Sequence, residues 1–436
     1  MYRETMEKLK EWKASTLRKP LIIRGARQTG KTWLMRTFGS RYYDSLAYIN
    51  LESNPEMQKL FQMDFDVQRI LLGLQVEAGF RIAPEETLVV LDEIQESPEA
   101  LSSLKYFHEN APEYHIMAAG SMLGVTLHSE MSFPVGKVQF LDLHPMSFPE
   151  FLLALEKDSL YEIVTGPDFK MLKVFSEKLT ELLKRYYFIG GMPGVVKEFR
   201  SNPDFSLARD IQKQLLTAYE QDFSKHVPHP LIPRIRGVWN SLPAQLAREN
   251  KKFIYGLVRK GARAREYELA IQWLIDCGLS HRVSRITKPG IPLAAYLDQK
   301  AFKLFAPDVG LLCAMTDIDQ NSVLEGNSLF SEFKGALTEQ FVLQQLIVSG
   351  DREPYYWSGR SSSAEVDFVL QQHGNVLPLE VKAAENLQSK SLKSYFERFA
   401  PPKALRASLS GYREEDWLIN IPLYAINSIH HIVENL

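Results

Sequence analysis

Leu21-Ile22-Ile23-Arg24-Gly25-Ala26-Arg27-Gln28-Thr29-Gly30-Lys31-Thr32 decides how this chain folds. Four residues of buried-strand character run into the spacing G-x-x-x-x-G-K-T, and Trp33 to Phe38 behind it has helical character. The strand-loop-helix order gives the spacing its meaning. Glycines let the backbone fold around phosphates, whose charge meets loop N–H groups and a helix N-terminus. Gly25, Ala26, Arg27, Gln28, Thr29 and Gly30 would cradle ATP, Lys31 would reach its β- and γ-phosphates, and the Thr32 hydroxyl would ligate Mg²⁺.

Downstream, Thr87-Leu88-Val89-Val90-Leu91-Asp92-Glu93 is an apolar strand ending in two acids. Asp92 is placed to support Mg²⁺, and Glu93 to polarise the water that attacks the γ-phosphate. A third strand, His115-Ile116-Met117-Ala118-Ala119, delivers Gly120 and Ser121 at its carboxyl end. Ser121 is either a polar sensor beside the γ-phosphate or a turn residue. The fold class expected is α/β, with a parallel sheet between helices at the N-terminal end.

A second constellation lies near the C-terminus. The runs Ala364-Glu365-Val366-Asp367-Phe368-Val369-Leu370 and Val376-Leu377-Pro378-Leu379-Glu380-Val381-Lys382 alternate around the turn-like Gln371-Gln372-His373-Gly374-Asn375. A hairpin centred on His373 and Gly374 would set Asp367 opposite Glu380 on one face, with Lys382 two residues on. A slip of one residue would separate the acids. Facing carboxylates in an apolar setting need a cation or a proton between them, and Mg²⁺ with its hard oxygen ligands suits the position. Lys382 could then orient or activate water attacking a phosphodiester. Helical Lys334 to Val342 supplies Glu339 as a third acid. An ordinary hairpin with a Glu380/Lys382 pair on a wet face is the other reading of the same residues.

The chain has 436 residues, room for about three domains. Its 45% hydrophobic and 24% charged content is ordinary for a soluble globular protein. Cys277 and Cys313 are the only cysteines, which excludes a disulfide framework or a cysteine metal cluster and fits a reducing, cytoplasmic setting. Met1 to Lys8 lacks an apolar signal core, and no stretch approaches the roughly twenty apolar residues of a membrane span. The net charge of −2 hides a local asymmetry. From Pro233 to Arg265, nine basic residues (Arg234, Arg236, Arg248, Lys251, Lys252, Arg259, Lys260, Arg263 and Arg265) stand against Glu249 alone. Tyr267 to Leu279 follows as an amphipathic helix, with Leu269, Trp273, Leu274 and Leu279 as its apolar positions, then extended Ser280 to Ile286 and a Lys288-Pro289-Gly290 turn. Helices followed by a short hairpin are what a winged helix requires, and basic surroundings suggest duplex DNA. A solvated basic face packed on acidic parts of the same chain is the alternative. Gly190-Gly191-Met192-Pro193 reads as a hinge or a turn.

With these residues in hand, the chain resembles a large bacterial and archaeal family of AAA-type ATPases with a C-terminal domain of unknown function. The resemblance rests on Gly25 to Thr32, Leu91-Asp92-Glu93-Ile94-Gln95, Ala119-Gly120-Ser121, Leu143-His144-Pro145-Met146-Ser147-Phe148 and Gly190-Gly191-Met192-Pro193. It extends through Phe302 to Leu312, Glu365-Val366-Asp367 and Leu379-Glu380-Val381-Lys382. It implies an ATPase core over 1–150, a helical lid over 151–230, a winged-helix region over 231–312 and a domain similar to PD-(D/E)xK nucleases over 313–436. Asp367, Glu380 and Lys382 match the nuclease pattern, and Glu339 its upstream helix acid. The family commonly has Gly-Arg where this chain has Gly136-Lys137, which puts an arginine finger at that position in doubt. A homo-oligomer is compatible with the resemblance.

The expectation is a Mg²⁺-dependent ATPase whose nucleotide state controls DNA engagement by a winged helix and a nuclease-like domain. Lys31 and Glu93 would serve one centre, and Asp367, Glu380 and Lys382 another, with Thr32 and Asp92, then Glu339, Asp367 and Glu380, as the two metal sets. The competing expectation is a nucleotide-switched signalling or scaffold protein whose nuclease fold binds a partner without cutting.

Overall fold

β1 (Leu21–Arg24), β2 (Ser45–Asn50), β3 (Thr87–Asp92), β4 (His115–Ala119) and β5 (Gln139–Asp142) form one sheet in the order β2-β3-β4-β1-β5. Every pairing in it is parallel. A parallel sheet must be covered on both faces, so its strands read as unbroken apolar runs. Leu88 and Val90 enter a cluster with Leu34 and Phe38 on one side, while Val89 and Leu91 meet Phe61 and Leu74 on the other. β4 lies between β1 and β3, with Ala119 level with both Ile23 and Asp92. The phosphate-type loop and the acidic strand end therefore emerge side by side at the carboxyl edge, where open α/β sheets place their ligands.

The computed structural model describes residues 1–120, 134, 136–325, 331–350, 353–359, 364–383 and 389–433. Tyr2–His144 with Trp273–Leu279 make one compact unit, and Pro145–Gln272 with Ser280–Leu436 make a second. Among the described residues no helix is long and apolar enough to cross a membrane.

The second unit is built on β6 (His281–Ile286), β7 (Leu297–Phe305), β8 (Tyr355–Ser358), β9 (Glu365–Gln372), β10 (Asn375–Val381), β11 (Ala404–Ser408), β12 (Arg413–Glu414) and β13 (Leu418–Pro422). They share one sheet in the order β12-β13-β11-β10-β9-β8-β6-β7. The hairpin expected as a wing is therefore an edge of the C-terminal sheet, since Arg285 and Ile286 pair in parallel with Tyr356 and Trp357. Ile286 and Leu293 bury into the same core as Trp357, Val366, Tyr395 and Leu418. One sheet thus runs across the boundary expected at 312/313. The helix before the hairpin spans Ala264–Asp276 and buries Tyr267, Ala270, Ile271 and Leu274, but Leu269, expected on its apolar face, is 71% exposed.

Gly190 and Gly191 form a packed joint. A Cβ on Gly190, at φ +73°, would lie 2.1 Å from Asp308 Oδ1, and one on Gly191 would lie 2.1 Å from the Met146 carbonyl oxygen. Asp308 is wholly buried and accepts hydrogen bonds from the Gly191 N–H at 2.6 Å, the Leu311 N–H at 3.0 Å and the Gln344 amide at 3.0 Å. Burial raises its pKa, and these donors oppose the shift.

Candidate functional site

Each turn of the loop after β1 has a steric cause. Gly25 takes φ +145°, and a Cβ there would sit 2.2 Å from the Leu143 carbonyl oxygen; Gly30 takes φ +95° at the start of the helix Lys31–Tyr42. Inside the loop, Thr29 Oγ1 donates to the Ala26 carbonyl at 2.9 Å. Buried Arg3 clamps it from outside, donating to the carbonyls of Thr29 at 3.0 Å and His144 at 2.6 Å. Gly278, at φ +69° in the segment that packs with this unit, also abuts it, and a Cβ there would lie 3.0 Å from the Ala26 nitrogen. Neither Arg3 nor Gly278 carries a motif that sequence reading could have used.

Lys31 is buried, and its ammonium donates to the carbonyls of Gly25 at 2.8 Å and Ala26 at 2.9 Å. Burial lowers its pKa to about 8, against the pull of Glu93 and Asp92. Thr32 Oγ1 donates to Asp92 Oδ2 at 2.7 Å, so the hydroxyl and carboxylate expected around Mg²⁺ are in direct contact. Tyr48 on β2 donates to the same oxygen at 2.7 Å, with the Arg36 guanidinium 3.7 Å above its ring. The motifs missed Tyr48; only its place on the strand beside β3 could have suggested it. Asp92 Oδ1 accepts the Glu93 N–H at 3.0 Å, and Gln95 donates to Glu93 Oε2 at 2.7 Å. Ser121 lies outside the described residues. Lys137, at the finger position, pairs with Glu109 at 2.9 Å within its own unit.

In the second unit the hairpin register is the one expected. Val376 pairs with Gln371, Leu377 with Leu370, and Leu379 with Phe368, which puts Glu380 opposite Asp367. The turn is tighter than the five residues expected: His373 at φ +47° and Gly374 at φ +78° make it alone, as a two-residue hairpin demands. Among the described residues, no three His, Cys, Asp or Glu side chains could share an ion. Lysines stand beside these acids. Lys303 on β7 is wholly buried, with its ammonium 2.6 Å from Glu365, 3.6 Å from Glu339 and 3.9 Å from Asp367. Buried Lys251 pairs with Glu339 as well. Asp367 turns its other oxygen to the Val381 N–H at 2.8 Å, while Glu380 pairs with Lys382 at 3.0 Å.

Charge counting explains the arrangement: two ammonium groups face Glu339, Glu365 and Asp367, one carboxylate in excess. Burial, then neighbouring Glu339, pushes Asp367 up to about 7. Burial alone would discharge Lys303, yet the three acids outweigh it and raise its pKa; Lys251 and Lys303 likewise outweigh burial at Glu339 and lower it. Lys303 lies within the run Phe302 to Leu312 that carries the resemblance, but no ionic role for it was expected. Lys251 is thereby removed from the basic stretch, but Arg234, Arg236, Arg248, Lys252, Arg259, Lys260, Arg263 and Arg265 are all exposed.

Three family comparisons match separate regions. Residues 17–152 match the family described as AAA domain, 180–322 match Domain of unknown function (DUF8612), and 334–425 match Domain of unknown function (DUF4143). Uncharacterized proteins of Mycobacterium tuberculosis and Mycobacterium bovis are each 24% identical over 379 residues, covering 86% of this chain and 73% of theirs. Among solved structures, a Walker-type ATPase of Pyrococcus abyssi aligns with TM-score 0.45 and 17% identity over 72% of this chain and 95% of its own. The Orc1 protein of Aeropyrum pernix, solved in complex with DNA, aligns at 0.27 and 13% over 73% and 93%. The parallel sheet, the loop after β1 and the family match together make residues 17–152 a P-loop ATPase domain of the AAA type.

Proposed function

We propose that this chain is an ATP-hydrolysing switch that uses Mg²⁺ and governs the engagement of duplex DNA by its exposed basic face. The observation that carries the reading is the contact of Thr32 with Asp92, held by Tyr48, beside a loop whose Gly25 leaves no room for a side chain. The residues present fit the metal: a hydroxyl and a carboxylate are hard oxygen donors. Mg²⁺ would there neutralise charge developing on the phosphates. Gly25 to Gly30 would cradle the phosphates, Lys31 would bind the β- and γ-oxygens, and Glu93 would take the proton of the attacking water.

The eight exposed basic residues support a polyanionic partner, whose phosphates they would meet. For the C-terminal domain we favour a nuclease-like scaffold that binds without cutting, because Lys251 pairs with Glu339, Lys303 stands beside Glu339 and Asp367, and Lys382 pairs with Glu380. The test is ATP hydrolysis and DNA binding by the full chain, with Glu93→Gln beside it. Glu93→Gln should retain ATP without turnover and lock one DNA affinity. If it hydrolyses at the normal rate, the ATPase assignment of the site is wrong. Plasmid incubated with Mg²⁺ or Mn²⁺ should stay intact, and nicking abolished by Asp367→Ala would overturn the scaffold reading.

A further inference from the structure

We infer that Gln95 is the positioning residue for Glu93, holding its carboxylate on the phosphate side of the site during ATP hydrolysis. The inference rests on the ATPase reading and adds a residue to it. Glu93 sits in the left-handed region at φ +52°, a costly backbone for a residue with a side chain, so its surroundings must impose it. They do so from both sides. Asp92 Oδ1 takes its N–H, and its carbonyl accepts the Glu96 N–H at 3.0 Å to open the short helix Ile94–Glu96. Ile94 is wholly buried and anchors that turn in the core. The chain therefore doubles back within two residues and brings Gln95 alongside Glu93.

The Gln95 amide is oriented without ambiguity. An ionised carboxylate can only accept, so the NH₂ group must face Glu93 Oε2, at 2.7 Å, which fixes the carbonyl on the other side. That carbonyl oxygen is buried and makes no hydrogen bond. It is an acceptor next to the proposed base. Glu93 is also the leading charge that opposes the burial of Lys31, the phosphate-binding lysine. One oxygen of Glu93 is thus tethered and the other left for the proton. An untethered glutamate would sample several rotamers, and a misplacement of about 1 Å can cost about 100-fold in rate.

The experiment compares full-length wild type, Gln95→Ala, Gln95→Glu and Glu93→Gln in steady-state ATP hydrolysis, with affinity for a fluorescent ATP analogue and thermal midpoint measured in parallel. Gln95→Ala should lose about 10- to 100-fold in kcat while ATP affinity stays within about threefold. Gln95→Glu sets a second carboxylate against Glu93, and the acidic limb of the kcat profile should move to higher pH by about one unit. A Gln95→Ala kcat within twofold of wild type, or higher, overturns the inference. So does a kcat loss matched by equal losses of affinity and thermal midpoint, since that marks a structural role. Normal turnover by Glu93→Gln would instead sink the assignment of Glu93, a result told apart by the variant that carries it.

Discussion

Replacing Lys303 with methionine removes the one positive charge that Glu339, Glu365 and Asp367 share, and the cost can be worked from the distances. With an effective dielectric of about 20, an ammonium 2.6 Å from Glu365 gains roughly 6 kcal/mol, and those at 3.6 Å and 3.9 Å from Glu339 and Asp367 roughly 4 to 5 kcal/mol each. Most of that gross attraction offsets the desolvation of the lysine, and buried pairs broken on one side typically lose about 3–5 kcal/mol net. At about 2–4 °C per kcal/mol, Lys303→Met should lower the midpoint of the second unit by about 6–20 °C. Lys382→Met is the control. Its ammonium lies 3.0 Å from Glu380 but is one-third exposed, so it should cost at most about 1 kcal/mol. Differential scanning calorimetry of the full chain reads both, and adding Glu365→Gln to Lys303→Met should recover part of the loss. A Lys303→Met protein melting within 2 °C of wild type would refute the reasoning, because it would mean that the acids had never depended on the lysine.

Other outcomes follow from the P-loop unit and the packed joint. Lys31, lowered to about 8, loses its proton as pH rises through that value, whereas bound phosphates need the ammonium. ATP affinity should hold below pH 8 and weaken by up to about tenfold per unit above it, with proton uptake on binding at pH 9 visible by calorimetry in two buffers. An affinity flat from pH 7 to 9.5 would show that the lysine stays charged. Tyr48→Phe removes one of two hydroxyl donors to Asp92 Oδ2 and should cost about 1.5–3 kcal/mol in stability of that unit, as a hydrogen bond to a charged group does. Gly190→Ala would force a methyl group onto Asp308 Oδ1 in a left-handed backbone; a fall in midpoint of several degrees is expected, and tolerance would mean the joint is loose.

The P-loop unit was legible because its determinants are local. Glycines at positive φ, a lysine and threonine at a helix start, and strands buried on both faces each leave a mark within a few residues. The hairpin register was legible for the same reason: His373 and Gly374 fix it, and every side chain follows by alternation. What escaped was charge brought from far along the chain. Lys251 and Lys303 reach Glu339 across 88 and 36 residues, and nothing in their neighbourhoods marks a lysine that will be buried. Facing acids require a cation or a proton, and the fold brings lysines beside Glu339, Glu365 and Asp367. Tyr48 escaped likewise, because its partner Asp92 lies on the adjacent strand rather than nearby in sequence.

The pairing of β6 with β8 has a consequence for how such chains can change over time. Residues 180–322 and 334–425 match two different families, as if they were parts that could be exchanged, yet each supplies strands to a single sheet. A recombination event between them would leave β8 with an unpaired edge and Ile286 without the core it shares with Trp357 and Val366. The two regions should therefore be inherited together. A donor module that kept the fold would have to bring a matching hairpin with it.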